Sequence, residues 1–90
     1  MEETETSGVM FMSDVSDWRS KVDPSRISMD DRYRLIKYAV ARFGQSRVRK
    51  LIGVSRATFW RILERKAPVR PEYVRAILKL FSLREFEDLV

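Results

Sequence analysis

The chain has 90 residues, with 18 Lys or Arg against 13 Asp or Glu, and a net charge of +5 at pH 7. A chain of this length builds one small core. The absence of cysteine excludes disulfides, and the absence of histidine excludes imidazole catalysis and histidine metal ligation.

Two further absences narrow the function classes. Carboxylates are scattered, and no glycine-rich phosphate loop is visible, so we expect no enzymatic activity, no cofactor and no small-molecule substrate. No apolar run approaches the roughly 18 residues needed to cross a bilayer, and the first residues are acidic where a secretory signal is basic. We therefore expect a cytoplasmic protein, or a nuclear one in a eukaryote, with no membrane partner.

The charges are unevenly distributed along the chain. Residues 1–23 carry six acidic and two basic side chains, residues 24–81 carry fifteen basic and four acidic ones, and residues 82–90 are mildly acidic. A basic body raises the local concentration of polyanions and favours their binding by counterion release. The charge alone is equally compatible with a solvated surface.

Residues 1–25 are predicted to form a flexible, disordered acidic arm, because they lack a clear period and are rich in Ser, Thr and Asp. An apolar patch, VMFM at residues 9–12, interrupts this arm. Three interpretations of this patch remain open: it docks on the folded body, it docks on a partner, or it has no role. The turn-like sequence at residues 23–25 marks the boundary of a folded domain over residues 26–90.

The first predicted helix begins at Ser28, whose hydroxyl can cap the open amides while Asp30 and Asp31 interact with the helix dipole. Gly44 is predicted to end it in a left-handed conformation. Spacings of four and three predict one buried stripe, formed by Met29, Tyr33, Ile36, Val40 and Phe43.

Two short helices follow. The second is predicted over residues 46–52 and ends at Gly53, and the third is capped by Ser55 and reaches to about residue 66. Pro68 disfavours helix at the preceding residue and is the predicted stop. The inward residues are Val48, Leu51 and Ile52 on the second helix, and Phe59, Ile62 and Leu63 on the third.

Pro71 opens a fourth helix, and a fifth starts at Ser82, which forms a capping box with Glu85. Phe81 and Phe86 fit a hydrophobic staple across that start. Apolar side chains recur at helical spacing in both: Val74, Ile77, Leu78 and Phe81, then Leu83, Phe86, Leu89 and Val90. No alternating strand pattern competes, so the predicted fold is all-α with four to five short helices.

The segment RVRKLIGVSRATFWRIL, residues 47–63, has the form of two helices joined by a glycine turn. Positive φ is inexpensive only for glycine, which explains Gly53. This is the pattern of a helix-turn-helix, which places its second helix in the DNA major groove. The positions predicted to lock the two helices together are Val48, Ile52, Val54, Phe59 and Ile62.

Over residues 28–90, and most strongly over 46–66, the chain resembles the helix-turn-helix domains of phage-repressor and Cro-type regulators and the related modules of transposases and integrases. These families usually keep a small residue four positions before the turn glycine, where the two helices touch, and this chain has Arg49. Two alternatives follow. The Arg49 stem lies along the interface with its head in solvent, or the two helices cross differently.

The resemblance implies sequence-specific binding of double-stranded DNA through a recognition helix at about residues 55–66, in a transcriptional regulator or in the targeting module of a DNA-processing protein. We expect six residues to approach base edges: Ser55, Arg56, Ala57, Trp60, Arg61 and Glu64. We expect seven to contact the DNA backbone: Arg47, Arg49, Lys50, Thr58, Arg65, Lys66 and Arg70. For Trp60, packing against the first two helices competes with contact to a sugar or a thymine methyl.

Other functions are kept as alternatives. A helical adaptor would present the basic face to an acidic protein, with residues 9–12 or 83–90 as its apolar contact. RNA binding is disfavoured because exposed stacking aromatics are scarce. The apolar end of the fifth helix is compatible with a homodimer, and equally with a longer protein continuing beyond it.

Overall fold

The computed structural model describes residues 18–90, and every regular element in that range is helical. The prediction of an all-α fold is therefore confirmed for the described residues. Five α-helices form the body: α1 Met29–Phe43, α2 Gln45–Ile52, α3 Arg56–Leu63, α4 Pro71–Ile77 and α5 Leu83–Leu89. A helical turn at residues 18–21 and 3-10 turns at Pro24–Arg26 and Leu78–Leu80 complete the elements.

Serine hydroxyls begin three of the helices, as predicted. The Oγ atoms of Ser28, Ser55 and Ser82 accept hydrogen bonds from amides three residues ahead, at 3.1, 3.2 and 3.2 Å. Each bond satisfies one of the amides that a helix start leaves without a partner. At α5 the Ser82 amide also donates to Glu85 Oε1 at 2.9 Å, which completes the predicted capping box.

Glycines end α1 and α2. Gly53 is left-handed, with φ of +73° and ψ of +34°, and its amide donates to the Arg49 carbonyl at 3.0 Å. Gly44 ends α1 and starts α2, with φ of +95° and ψ of +148°. Both positive φ angles suit glycine. The sharp turns they allow set α2 against α1 and place α3 only three residues beyond α2.

The third helix is shorter than predicted. It ends at Leu63, and the backbone turns at Arg65, which has φ of +61°. The amides of Arg65 and Lys66 donate to the carbonyls of Ile62 and Arg61 at 3.0 and 2.7 Å, the bond pattern of a Schellman ending. An arginine therefore occupies the position that usually belongs to glycine, and Pro68 lies too late to be the stop.

α4 also ends early, at Ile77, and the chain tightens into the 3-10 turn at Leu78–Leu80. The predicted stripe on this segment is nevertheless correct, because Val74, Ile77, Leu78 and Phe81 are all buried. The Arg19 guanidinium donates to the carbonyls of Leu78, at 2.6 Å, and Phe81. The Leu78 carbonyl also accepts from the Phe81 amide at 3.1 Å, so Arg19 adds a second bond there and gives the Phe81 carbonyl a partner.

α1 lies at the centre of the body and packs against each of the other four helices. Its buried side chains include Tyr33 and Ile36, as predicted, and also Leu35 and Ala39, which the stripe omitted. Met29 is wrongly assigned to that stripe: it is 40% exposed at the first turn, where its Sδ lies 3.4 Å from the Val69 amide. The apolar face of α1 is thus wider than a single row of residues.

The folded body begins before the predicted boundary at residue 26. Trp18 is buried and packs against Phe86 of α5, with ring centroids 5.2 Å apart. Residues 18–25 therefore belong to the body rather than to a separate arm. The rest of the predicted arm, including the VMFM patch, lies outside the described residues.

Two polar networks join elements that are distant in sequence. Arg32 of α1 donates to three carbonyls, those of Ile27 and Val69 at 2.9 Å and that of Ser25 at 3.2 Å. Tyr38 of α1 donates to Glu85 Oε2 of α5 at 2.6 Å. That hydrogen bond, with the capping bonds of Ser82 and nearby Arg42, lowers the pKa of Glu85 to about 2.

Candidate functional site

The segment from α2 to α3 presents one buried and one exposed face. Phe59 and Ile62 point into the core and are almost fully buried, as predicted. All six side chains predicted to meet base edges are exposed: Ser55, Arg56, Ala57, Trp60, Arg61 and Glu64. Arg56 and Trp60 lie on a flank of α3 and Ala57 and Arg61 on the side away from its core residues, as the helical period of 3.6 requires, while Ser55 and Glu64 cap the two ends of the helix.

The cap at the start of α3 limits what two of the polar residues can do. Ser55 Oγ accepts from the Thr58 amide, and its hydroxyl lies 3.1 Å from Thr58 Oγ1. Thr58 is only partly exposed. Both hydroxyls are therefore committed to the local structure, and the groups on this face with unused donors are the arginines and the Trp60 indole.

The basic side chains divide into free and paired groups. Among residues 18–90, no carboxylate lies within 4.0 Å of the charged groups of Arg47, Lys50, Arg56 or Arg61. All four are exposed. Since no carboxylate neutralises them, these four side chains add positive potential to the surfaces of α2 and α3 that they occupy.

Three other predicted backbone contacts are paired inside the domain. Arg65 Nη1 lies 2.8 Å from Asp30 Oδ1, and the Arg65 guanidinium is 4.8 Å from the centre of the Tyr33 ring. The hydrogen bond from Arg65 lowers the pKa of Asp30. Lys66 faces Glu64 at 3.5 Å, and Arg70 faces Glu72 at 4.0 Å. Exposed pairs of this kind are weak and exchangeable.

Arg49 matches the first of the two alternatives raised by the sequence only in part. It is partly buried between α2 and α3, and its Nη1 donates to the Val54 carbonyl of the turn at 3.2 Å. The stem lies along the interface, but the head binds the turn instead of solvent. Arg49 is therefore built into the fold, and its guanidinium is less available to DNA than those of its neighbours Arg47 and Lys50.

α2 and α3 do not pack chiefly on each other, contrary to the predicted locking of the pair. α2 packs mainly on α1 and α4, and α3 packs on α1. The apolar residues assigned to the lock, such as Val48 and Ile62, join the common core instead. Arg49 occupies the position where the resembling families have a small residue at the contact between the helices.

An open groove of about 260 Å³ lies between the two helices. We call it the interhelical groove. Trp60 stands on its wall and is 55% exposed, so packing against the neighbouring helix covers less than half of its surface. The sequence did not predict this groove; Arg49 in place of a small residue was the signal for it. The lining residues are Gln45, Ser46 and Arg49 of α2 and Arg56, Phe59 and Trp60 of α3.

Other kinds of site find no support in the described part of the chain. No three carboxylates in residues 18–90 lie close enough together to hold a metal ion. Among the helices of the same range, none is long and apolar enough to cross a membrane. The exposed face of α3, with its unpaired arginines and the adjoining groove, is the candidate site.

Comparison with family models, with curated protein sequences and with solved structures finds no match to this chain.

Proposed function

We propose that α2, the turn and α3 form a DNA-binding helix-turn-helix, and that α3 binds double-stranded DNA in the major groove and discriminates its sequence. The observation that carries this proposal is the exposed face of α3, where Arg56 and Arg61 have no acidic partner among the described residues. A short helix that buries one side and presents unpaired arginines on the other has the chemistry for base-edge recognition.

The residues of this face are suited to different contacts. Arg56 and Arg61 each offer a planar guanidinium, which can donate two hydrogen bonds to O6 and N7 of guanine. Ala57, one turn before Arg61, suits a thymine methyl. Trp60 has more than half of its surface available for a deoxyribose or a thymine methyl.

Arg47 and Lys50 of α2 suit phosphates. They are exposed, unpaired within residues 18–90, and three residues apart on one helix, so their side chains lie on the same side. Phosphate contacts fix the orientation of a protein on the duplex without reading its sequence. Lys66 and Arg70 can join them by exchanging their weak surface pairs with Glu64 and Glu72 for phosphates.

The adaptor alternative has less support, because one of its two apolar contacts is used inside the domain. Phe86 packs on Trp18, and Leu83 and Leu89 belong to the same hydrophobic cluster. The same packing removes much of the apolar surface proposed for a homodimer. Double-stranded DNA is therefore our proposed partner, in transcription regulation or in the targeting of a DNA-processing protein.

Selection of bound duplexes from a random library tests the proposal. A single enriched sequence motif is the expected result. On that motif, Arg61→Ala should flatten discrimination at one base pair, a loss of about 1–3 kcal/mol. Lys50→Ala should weaken all sequences alike and reduce the salt dependence by about one unit in the log–log slope.

Arg84→Ala is the matched control. Arg84 is exposed on α5, and its replacement removes the same charge far along the chain from the candidate site. If Arg61→Ala and Lys50→Ala changed affinity and site preference no more than Arg84→Ala, α3 would not be the recognition helix. If no duplex were enriched, sequence-specific binding itself would be refuted.

A further inference from the structure

We propose that residues 1–17 bind in the interhelical groove of their own chain and thereby compete with DNA for Arg56 and Trp60. The binding itself needs only the groove. Its effect on DNA rests on the proposed function, because Arg56 and Trp60 belong both to the groove and to the exposed face of α3.

The groove combines positive charge with apolar surface. Arg49 and Arg56 contribute guanidinium groups, and Phe59 and Trp60 contribute rings. Arg56 has no acidic partner in residues 18–90, and Trp60 leaves 55% of its surface in solvent. A large exposed ring beside an unpaired cation favours an occupant that is both apolar and acidic.

Residues 1–17 have that combined chemistry. They contain five acidic side chains and no basic one. The VMFM patch at residues 9–12 lies between the two acidic groups, with Glu2, Glu3 and Glu5 before it and Asp14 and Asp17 after it. The patch matches the aromatic wall of the groove, and the flanking carboxylates match its arginines.

The chain is long enough to make this contact. Residues 9–12 precede Trp18, which is fixed in the core, by six to nine residues. At about 3.3 Å per residue they can reach roughly 20–30 Å from that anchor. Arg19, next to that anchor, donates to the Phe81 carbonyl, and Phe81 packs on Phe43 with ring centroids 6.2 Å apart. Phe43 lies two residues before Gln45, which lines the groove, so the anchor and the groove lie on neighbouring parts of the body.

A tethered occupant needs little intrinsic affinity. A short linker gives an effective concentration of the order of millimolar, so a contact with a millimolar dissociation constant already fills half of the grooves. The apparent affinity for DNA is the intrinsic affinity multiplied by the fraction of molecules whose groove is empty. Occupancies of about two thirds to nine tenths would weaken DNA binding about three- to tenfold.

The test uses three variants of the full chain and no truncation. V9S/M10S/F11S/M12S removes the apolar patch and keeps every charge, E2Q/E3Q/E5Q removes three charges and keeps the patch, and S7A/S13A is the control. In protein free of DNA, the first two should shift the NMR signals of the Trp60 indole and the Arg56 amide, and the third should not. The Trp18 indole signal should stay in place in all three.

Binding to the selected duplex is then measured for the same variants. V9S/M10S/F11S/M12S should bind about three- to tenfold more tightly than the original chain, although its net charge is unchanged. If only E2Q/E3Q/E5Q bound more tightly, long-range repulsion of DNA would explain the effect and docking would be refuted.

Two NMR outcomes also overturn the proposal, and neither depends on DNA. If the Trp60 and Arg56 signals were unchanged in both V9S/M10S/F11S/M12S and E2Q/E3Q/E5Q, residues 1–17 would not occupy the groove. Shifts that grow with protein concentration would assign the occupant to a second copy. In either case the DNA tests of Arg61 and Lys50 stand separately.

Discussion

Substitution of Gly53 tests the turn on which the proposed interface depends. Gly53 is left-handed, and a methyl group built on its Cα meets no atom within 4 Å. Gly53→Ala therefore adds backbone strain without a steric clash. The left-handed conformation costs an L-residue about 1–2 kcal/mol, and the restricted unfolded chain offsets about 0.4–1 kcal/mol of this. We expect the free energy of unfolding to fall by about 1 kcal/mol, which corresponds to a decrease of about 4–8 °C in Tm.

Asparagine makes the test specific to this conformation. It tolerates left-handed angles better than alanine, so Gly53→Asn should be more stable than Gly53→Ala. The φ and ψ of Gly44 lie outside the left-handed helical region, so Gly44→Asn should gain nothing over Gly44→Ala. The stabilities of all four variants are measured by urea unfolding, monitored by circular dichroism. If Gly53→Ala were as stable as the original chain and Gly53→Asn were no more stable than Gly53→Ala, Gly53 would not be left-handed. The turn, and with it the assigned exposed face of α3, would then be wrong.

Three further substitutions test features that fix the body. Glu85→Gln should flatten the acid dependence of stability: with a pKa lowered from 4.5 to about 2, the carboxylate stabilises the fold fully above about pH 4.5 and loses this effect toward pH 2. Unfolding compared at pH 7 and pH 3 should show it, and an unchanged pH dependence would contradict it. Arg65→Gly should be about 1 kcal/mol more stable than Arg65→Ala. Both variants lose the contacts with Asp30 and Tyr33, but only glycine relieves the strain of the positive φ. Equal thermal stabilities of the two variants would argue against the Schellman ending of α3. Trp18→Ala should cost about 3–5 kcal/mol, and a loss below about 1 kcal/mol in urea unfolding would place Trp18 outside the core.

The parts of the fold that sequence predicts well are those fixed by neighbouring residues. Ser28, Ser55 and Ser82 cap their helices through amides only three residues away. The buried faces of α3 and α4 follow from helical spacing. Because both the cap and the spacing are local, each could be predicted without knowledge of the tertiary structure.

The errors arise where distant residues decide the local structure. Arg65 adopts a glycine-like angle while it contacts Asp30 and Tyr33, which are 35 and 32 positions away. Trp18 is fixed by Phe86, from the other end of the chain. No pattern around Arg65 or Trp18 signals these contacts.

The candidate site shows the same division. Exposure of Arg56 and Arg61 follows from the period of α3 and was predicted. The pairing of Arg65 with Asp30 and the groove beside Arg49 depend on how the helices meet, so sequence patterns cannot separate arginines that are free from those that are paired within the domain.

The three carbonyls bound by Arg32 lie in two separate loops, one before α1 and one before α4. A single side chain therefore couples the opening of both loops, although 37 residues separate Arg32 from Val69. Amide hydrogens in the two loops should exchange with solvent as one cooperative unit, and a change at Arg32 should accelerate both together.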